Sequence, residues 1–169
     1  RASLPQVRAG THHQALHGEP AAPGAMGAHP WASGMGASVK VLIACEFSGT
    51  VRDAFTRMGH DATSCDLLPS ETPGKHYQGD VFDIICDGWD LMVAHPPCTH
   101  LASSGARWWK YKKAEQAAAL EFVRSLMNAR IERIAIENPV GKISTAIRKP
   151  DQIIQPWMFG DGEVKTTCL

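Results

Sequence analysis

The run Val39-Lys40-Val41-Leu42-Ile43-Ala44-Cys45 is β-rich and almost wholly apolar, and it ends abruptly in Glu46-Phe47-Ser48-Gly49. A strand with one wet face alternates apolar and polar residues; a continuous apolar run belongs to a strand covered on both faces, as in a parallel sheet. Later segments repeat the pattern. A helix is expected over 50–58, closed by Gly59 in the left-handed conformation, then a second strand over 61–65 that stops at Asp66. After a loop rich in Pro and Gly, residues 77–80 read as the end of a short third strand, 89–94 as a fourth, and 131–136 as a fifth running into Glu137. Between the last two lies the best helix of the chain, 112–129, rich in Ala, Glu, Gln and Leu, with Ala118, Phe122, Leu126 and Ala129 on one stripe. Strand, helix, strand with short connections implies an α/β protein with a doubly wound, mostly parallel sheet. Ligands of such sheets bind beyond the carboxyl ends of the strands.

With 169 residues, 44% of them hydrophobic, the chain can form one domain with a sizeable core. Residues 1–38 are of another kind, dense in Ala, Gly, His and Pro and poor in regularly spaced aliphatics. They are expected to form a disordered low-complexity tail, ahead of a folded domain over 39–169. His12, His13, His17 and His29 are scattered along that tail, and no metal site is assigned to them. Seventeen basic residues balance seventeen acidic ones. No overall field attracts nucleic acid, so any such contact has to be local. The five cysteines are odd in number and include no C-x-x-C pair, and no signal peptide accompanies them. Free thiols and a cytoplasmic setting are expected. No apolar stretch approaches the roughly 20 residues of a membrane-spanning helix, and no membrane partner is expected.

The residues that carry chemistry stand at the strand ends. Gly49, between a buried strand and a helix, lets a ligand approach the backbone, yet the fingerprint G-x-G-x-x-G is absent because Val51 and Ala54 occupy the later glycine positions. That counts against a nicotinamide or flavin dinucleotide. Asp66 suits ribose hydroxyls and Asp80 an adenine amino group. Either alone is ordinarily a turn former or helix cap; together, at successive strand ends, they favour an adenosine-containing cofactor with no pyrophosphate to cradle. His95-Pro96-Pro97-Cys98 and Glu137-Asn138-Pro139-Val140-Gly141 then put a thiol and a carboxylate at the ends of two more strands.

Methylation of a pyrimidine ring carbon needs that pair. Carbon 5 of cytosine is a poor nucleophile until a thiolate adds to carbon 6, and Cys98 is the candidate. Glu137 would sit against ring nitrogen 3 and the exocyclic amine, with Asn138 supporting the loop. Cys45, Cys65 and Cys86 are expected to be ordinary buried thiols. His95, Cys98 and His100 also form an H-x-x-C-x-H cluster, but no second ligand group accompanies it, so no zinc site is assigned. The loop 105–113 interleaves basic and aromatic side chains: Arg107, Trp108 and Lys110 suit phosphate contact and base stacking, with Ser103 and Ser104 adding phosphate contacts. The alternative is a helix start that docks its tryptophans into the core.

Phe47-x-Gly49, Asp66, Gly79-Asp80, Pro96-Pro97-Cys98 and Glu137-Asn138, in that order over about 39–141, resemble the motifs of the DNA (cytosine-5) methyltransferases, especially compact phage and bacterial forms. The resemblance implies a Rossmann-like catalytic domain, S-adenosyl-L-methionine as cofactor and DNA as partner. It also implies that Phe47 packs on the cofactor, Gly49 lies beneath it, Asp66 holds the ribose and Asp80 the adenine, with Ser48 and Pro96 beside them. Lys165 stands where the family places a basic base-contacting residue. Val51 replaces the usual second glycine of the first loop, and Thr99 stands where many members have glutamine. No target-recognition domain follows, so the domain reads as C-terminally truncated. Two other readings stay open: an amino methyltransferase acting on DNA bases, and a noncatalytic module that binds cofactor or nucleic acid.

Overall fold

The computed structural model describes residues 37–169. All but the last two residues of the expected tail, 1–38, lie outside the described residues. Ala37 and Ser38 are irregular and exposed.

Five parallel strands form the central sheet: β1 (Lys40–Ala44), β2 (Asp61–Asp66), β3 (His76–Gln78), β4 (Leu91–Ala94) and β5 (Arg133–Ile136). Their order is β3-β2-β1-β4-β5, so the direction of winding reverses between β1 and β4. Such a reversal is the switch point at which open α/β sheets leave a crevice for ligands. β1 is central. Its Val41 and Ile43 face a cluster with Ala62 and with Val51 and Phe55 of α1 (Thr50–Arg57). Leu42 and Ala44 face the opposite cluster with Met92, Ala94 and Leu126, against which Phe122 packs; both belong to α2 (Lys113–Met127). Both sides of β1 are thus dry, as its unbroken apolar run requires. An α/β architecture with a parallel sheet covered on both faces agrees with the sequence expectation.

Several details differ from it. The buried face of α2 is Leu120, Val123 and Leu126, while Ala118 is exposed. A third cluster under the loops, Leu101, Leu120 and Val123 with Ile136, Ile143 and Ile147, turns the helix that way. β3 stops at Gln78 because Asp80 accepts from Phe82 N–H at 3.0 Å and opens a 3-10 turn, Val81–Asp83. Trp89 lies ahead of β4, its indole N–H donating to Ile84 O at 2.7 Å. Residues 103–111 form a 3-10 helix, Ser103–Tyr111, in place of a loop. A small antiparallel sheet was not anticipated: β6 (Asn138–Pro139), β7 (Ile153–Ile154) and β8 (Thr167–Cys168), in the order β6-β8-β7, with the short helix α3 (Ile143–Ala146) inserted after β6. Gly59 takes the left-handed conformation, φ 86°, as expected. Among the described residues no helix is long and apolar enough to cross a membrane.

Candidate active site

At the β1 end the chain turns sharply. Cys45 has φ 59°, unusual for a residue with a side chain, and Gly49 has φ 77°. A Cβ at Gly49 would meet Thr72 Oγ1 and the Arg52 guanidinium, so a larger residue is opposed by both backbone and neighbours. Glu46 is buried, and its carboxylate reaches the start of α1, accepting from Val51 N–H at 2.6 Å and Arg52 N–H at 3.2 Å. These are orphan donors at the positive end of the helix dipole, where an anion is favoured. The anion site of α1 is therefore filled by the chain's own carboxylate. A pyrophosphate would have to displace it, which agrees with the missing dinucleotide fingerprint.

Asp66 and Asp80 lie at the ends of neighbouring strands. Each makes a local bond: Asp66 Oδ1 accepts from Leu68 N–H at 2.9 Å, and Asp80 Oδ1 accepts from Phe82 N–H. The turn and cap functions weighed from sequence are both realised, and each leaves a second carboxylate oxygen for a ligand. The two fields converge on nearby thiols. Burial, with Asp66, Cys65 and Asp80 nearby, pushes the Cys45 thiol up to about 12; burial, with Asp66, Asp80 and Asp83, pushes Cys65 up to about 11. Neither is a ready nucleophile. Phe47 and Ser48 are partly accessible beside this edge. The residue after Asp66 begins a loop that Arg52 holds in place. Arg52 is completely buried and donates to Ser64 Oγ at 3.2 Å, Ser70 Oγ at 3.0 Å, Thr72 Oγ1 at 2.6 Å and Pro73 O at 3.1 Å, and pairs with Asp53 at 2.8 Å.

The second half of the site lies beyond β4 and β5. Asn138 is buried, and its Nδ2 donates to Pro96 O at 2.7 Å, joining the Glu-Asn segment to the Pro-Pro-Cys loop. Pro96 is itself buried, whereas Cys98 is exposed. Cys98 O accepts from Leu101 N–H at 2.9 Å and Ala102 N–H at 2.8 Å, which closes the turn that carries the thiol. Glu137 is half-buried, and its Oε2 lies 3.3 Å from His95 Nδ1. Further bonds link the two loops: Ser103 N–H donates to Val140 O at 2.9 Å and Lys142 N–H to Leu101 O at 2.7 Å. Gly141 sits so close that a Cβ there would collide with the Leu101 carbonyl.

Along the 3-10 helix Ser103–Tyr111, Trp108 and Tyr111 are exposed. Arg107 lies over Trp108 at 5.2 Å and Lys110 over Tyr111 at 4.7 Å. Trp109 is the inward-facing member, with Lys142 at 5.4 Å. Only one of the two tryptophans docks, and Ser103, Ser104, Arg107, Trp108 and Lys110 all stay accessible. Lys165 is exposed in the irregular segment before β8; the residues that pair beside Glu137 are Thr167 and Cys168, opposite Pro139 and Asn138. Cys168 is raised by burial and then by the Glu137 charge. Cys86 is exposed, contrary to its reading as a core thiol. No group of three or more His, Cys, Asp or Glu is gathered for a metal among the described residues.

Compared with family models, curated proteins and solved structures, the chain matches none. Sequence reasoning had not singled out Glu46, Arg52 or Cys168, and had considered His95 only as a zinc ligand. Glu46 had one signal, an acid just ahead of a helix start; Arg52 had none, since an arginine in a helix is ordinarily solvated.

Proposed function

We propose that this chain methylates carbon 5 of cytosine in DNA through a transient bond to Cys98, with S-adenosylmethionine as cofactor. The observation that carries the reading is the Asn138–Pro96 hydrogen bond, which ties a carboxylate-bearing strand end to the loop presenting an exposed thiol. The cofactor side is supported by its donors and acceptors: Asp66 and Asp80 each keep an oxygen for hydroxyl or amino donors, Phe47 offers an apolar face, and Glu46 blocks phosphate at α1. When bound, S-adenosylmethionine supplies an electrophilic methyl group and departs as the neutral thioether.

The chain's own residues account for the rest. Cys98 Sγ, as thiolate, donates an electron pair to carbon 6, and the pair of the 5,6 double bond moves to carbon 5, making it nucleophilic. Glu137, at the ring's hydrogen-bonding edge and carrying a proton taken from solvent, donates that proton to ring nitrogen 3 as negative charge builds there and takes it back when the thiolate leaves. After methylation, loss of the carbon 5 proton to solvent restores the double bond and expels Cys98. A base inside a duplex is out of reach, so a duplex substrate has to be flipped out, at a cost of a few kcal/mol. Arg107, Trp108 and Lys110 are suited to gripping the strand from which that base comes.

The test is intact mass after incubation with S-adenosylmethionine and an oligonucleotide carrying 5-fluorocytosine, with Cys98→Ser as control. Fluorine does not leave as a proton does, so turnover stalls as an adduct. An adduct absent from the control supports the nucleophile, cofactor and base together. Cofactor binding with no adduct overturns the reading in favour of a binding module or an amino methyltransferase.

A further inference from the structure

The β4–β5 pairing does not stop at the last strand residues. Its register ends at Ala94↔Ile136, and Glu137 N–H continues it by donating to Ala94 O at 2.9 Å, while His95 N–H extends the β4–β1 pairing by donating to Ala44 O at 2.9 Å. In-register neighbours on parallel strands direct their side chains to the same face. His95 and Glu137 therefore stand side by side, and the imidazole Nδ1 meets Oε2 at 3.3 Å. A carboxylate only accepts, so the hydrogen-bond network assigns the ring hydrogen to Nδ1. The opposite nitrogen agrees: Nε2 is buried with no partner among the described residues. A bare lone pair is tolerated there, whereas an N–H would be a buried donor without an acceptor.

We propose that His95 is a positioning residue for Glu137, its Nδ1–H holding one carboxyl oxygen so that the other, the one that carries the proton to ring nitrogen 3, is presented to the pyrimidine edge. This rests on the cytosine methyltransferase reading. The side chain of Glu137 is 27% exposed, and Oε2 has His95 as its one side-chain partner among the described residues. A glutamate left to its rotamers would stabilise the developing ring charge only in the fraction of time it faced the base, whereas a fixed one is preorganised. The sequence His95-Pro96-Pro97-Cys98 then has two functions three residues apart: its first member sets the carboxylate and its last attacks the ring. Asn138 fixes the backbone between them.

Two measurements test the role. Two-bond nitrogen–proton NMR of the full chain, in alkaline buffer, reports which ring nitrogen of His95 carries hydrogen. Protonation at Nδ1, shifting toward Nε2 in Glu137→Ala, is expected; Nε2–H in the wild type overturns the proposal whatever the chemistry. The rate of 5-fluorocytosine adduct formation is then compared among variants. His95→Ala and His95→Gln should be slower by roughly 10- to 100-fold, the loss expected for one hydrogen bond to a charged group. Affinity for S-adenosylmethionine should be unchanged. His95→Asn, whose amide nitrogen falls near Nδ1, should recover most of the rate. Equal rates for wild type and His95→Ala overturn the positioning role alone. No adduct in the wild type overturns the methyltransferase reading, and this role with it.

Discussion

At the residue scale, thiol environment separates chemistry from packing. Cys98 is exposed on a turn, while Cys45 and Cys65 are held at about 12 and about 11 by burial and by neighbouring carboxylates. Alkylation of the native chain, read by peptide mass spectrometry, should modify Cys98 and exposed Cys86 first and leave Cys45 and Cys65 until the protein unfolds. Arg52 gives a second residue-scale prediction. Its guanidinium lies beside Asp53 and holds that carboxyl below its ordinary 3.8. A lowered native value means the folded chain binds this proton less readily than the unfolded one. The stabilisation is then complete above the ordinary value and is lost as pH falls through the native one. Urea midpoints measured from about pH 6 down to pH 3 should fall less steeply in Asp53→Asn than in the wild type. Asp53 sits next to its partner in sequence, but the other acceptors of Arg52 come from β2 and the loop after it. No local pattern betrayed a buried arginine.

At the element scale, local rules placed strands and helices well and their ends less well. The apolar run of β1 needed no partner to be recognised. The end of β3 depended on Asp80 capping a 3-10 turn, a choice made by one side-chain bond. The inward stripe of α2 differs at Ala118 because the helix packs on Leu101 of the loop after β4 and on Ile143 of α3 as well as on the sheet. Those segments are themselves fastened at Gly141. Gly141→Ala should destabilise the chain by about 1–3 kcal/mol, the range of an overpacked contact, since the obstacle is backbone. Gly162→Ala, which would meet nothing nearby, should change little; thermal or urea unfolding compares the two. The 3-10 helix Ser103–Tyr111 carries the nucleic-acid prediction. Arg107→Ala and Lys110→Ala should each weaken DNA binding similarly for all sequences and lower its salt dependence, as loss of a phosphate contact does. Fluorescence anisotropy across a salt series checks this.

At the scale of the whole molecule, every pairing in the main sheet is parallel and non-local. Val41 pairs with Leu91, and Leu91 with Arg133. Closing such loops costs entropy before any contact compensates, so refolding should take milliseconds to seconds, not microseconds. Stopped-flow fluorescence of the tryptophans would measure it. The amino-acid sequence by itself determined the α/β class, the parallel sheet and the polar residues waiting at each strand end, because apolar runs, helix periodicity and glycine stops are local properties of the chain. Only the tertiary structure decided that Arg52 is buried, that Asn138 holds Pro96, and that His95 meets Glu137. Each of those depends on which strands become neighbours and in what register, and that is settled by burial of two sheet faces at once.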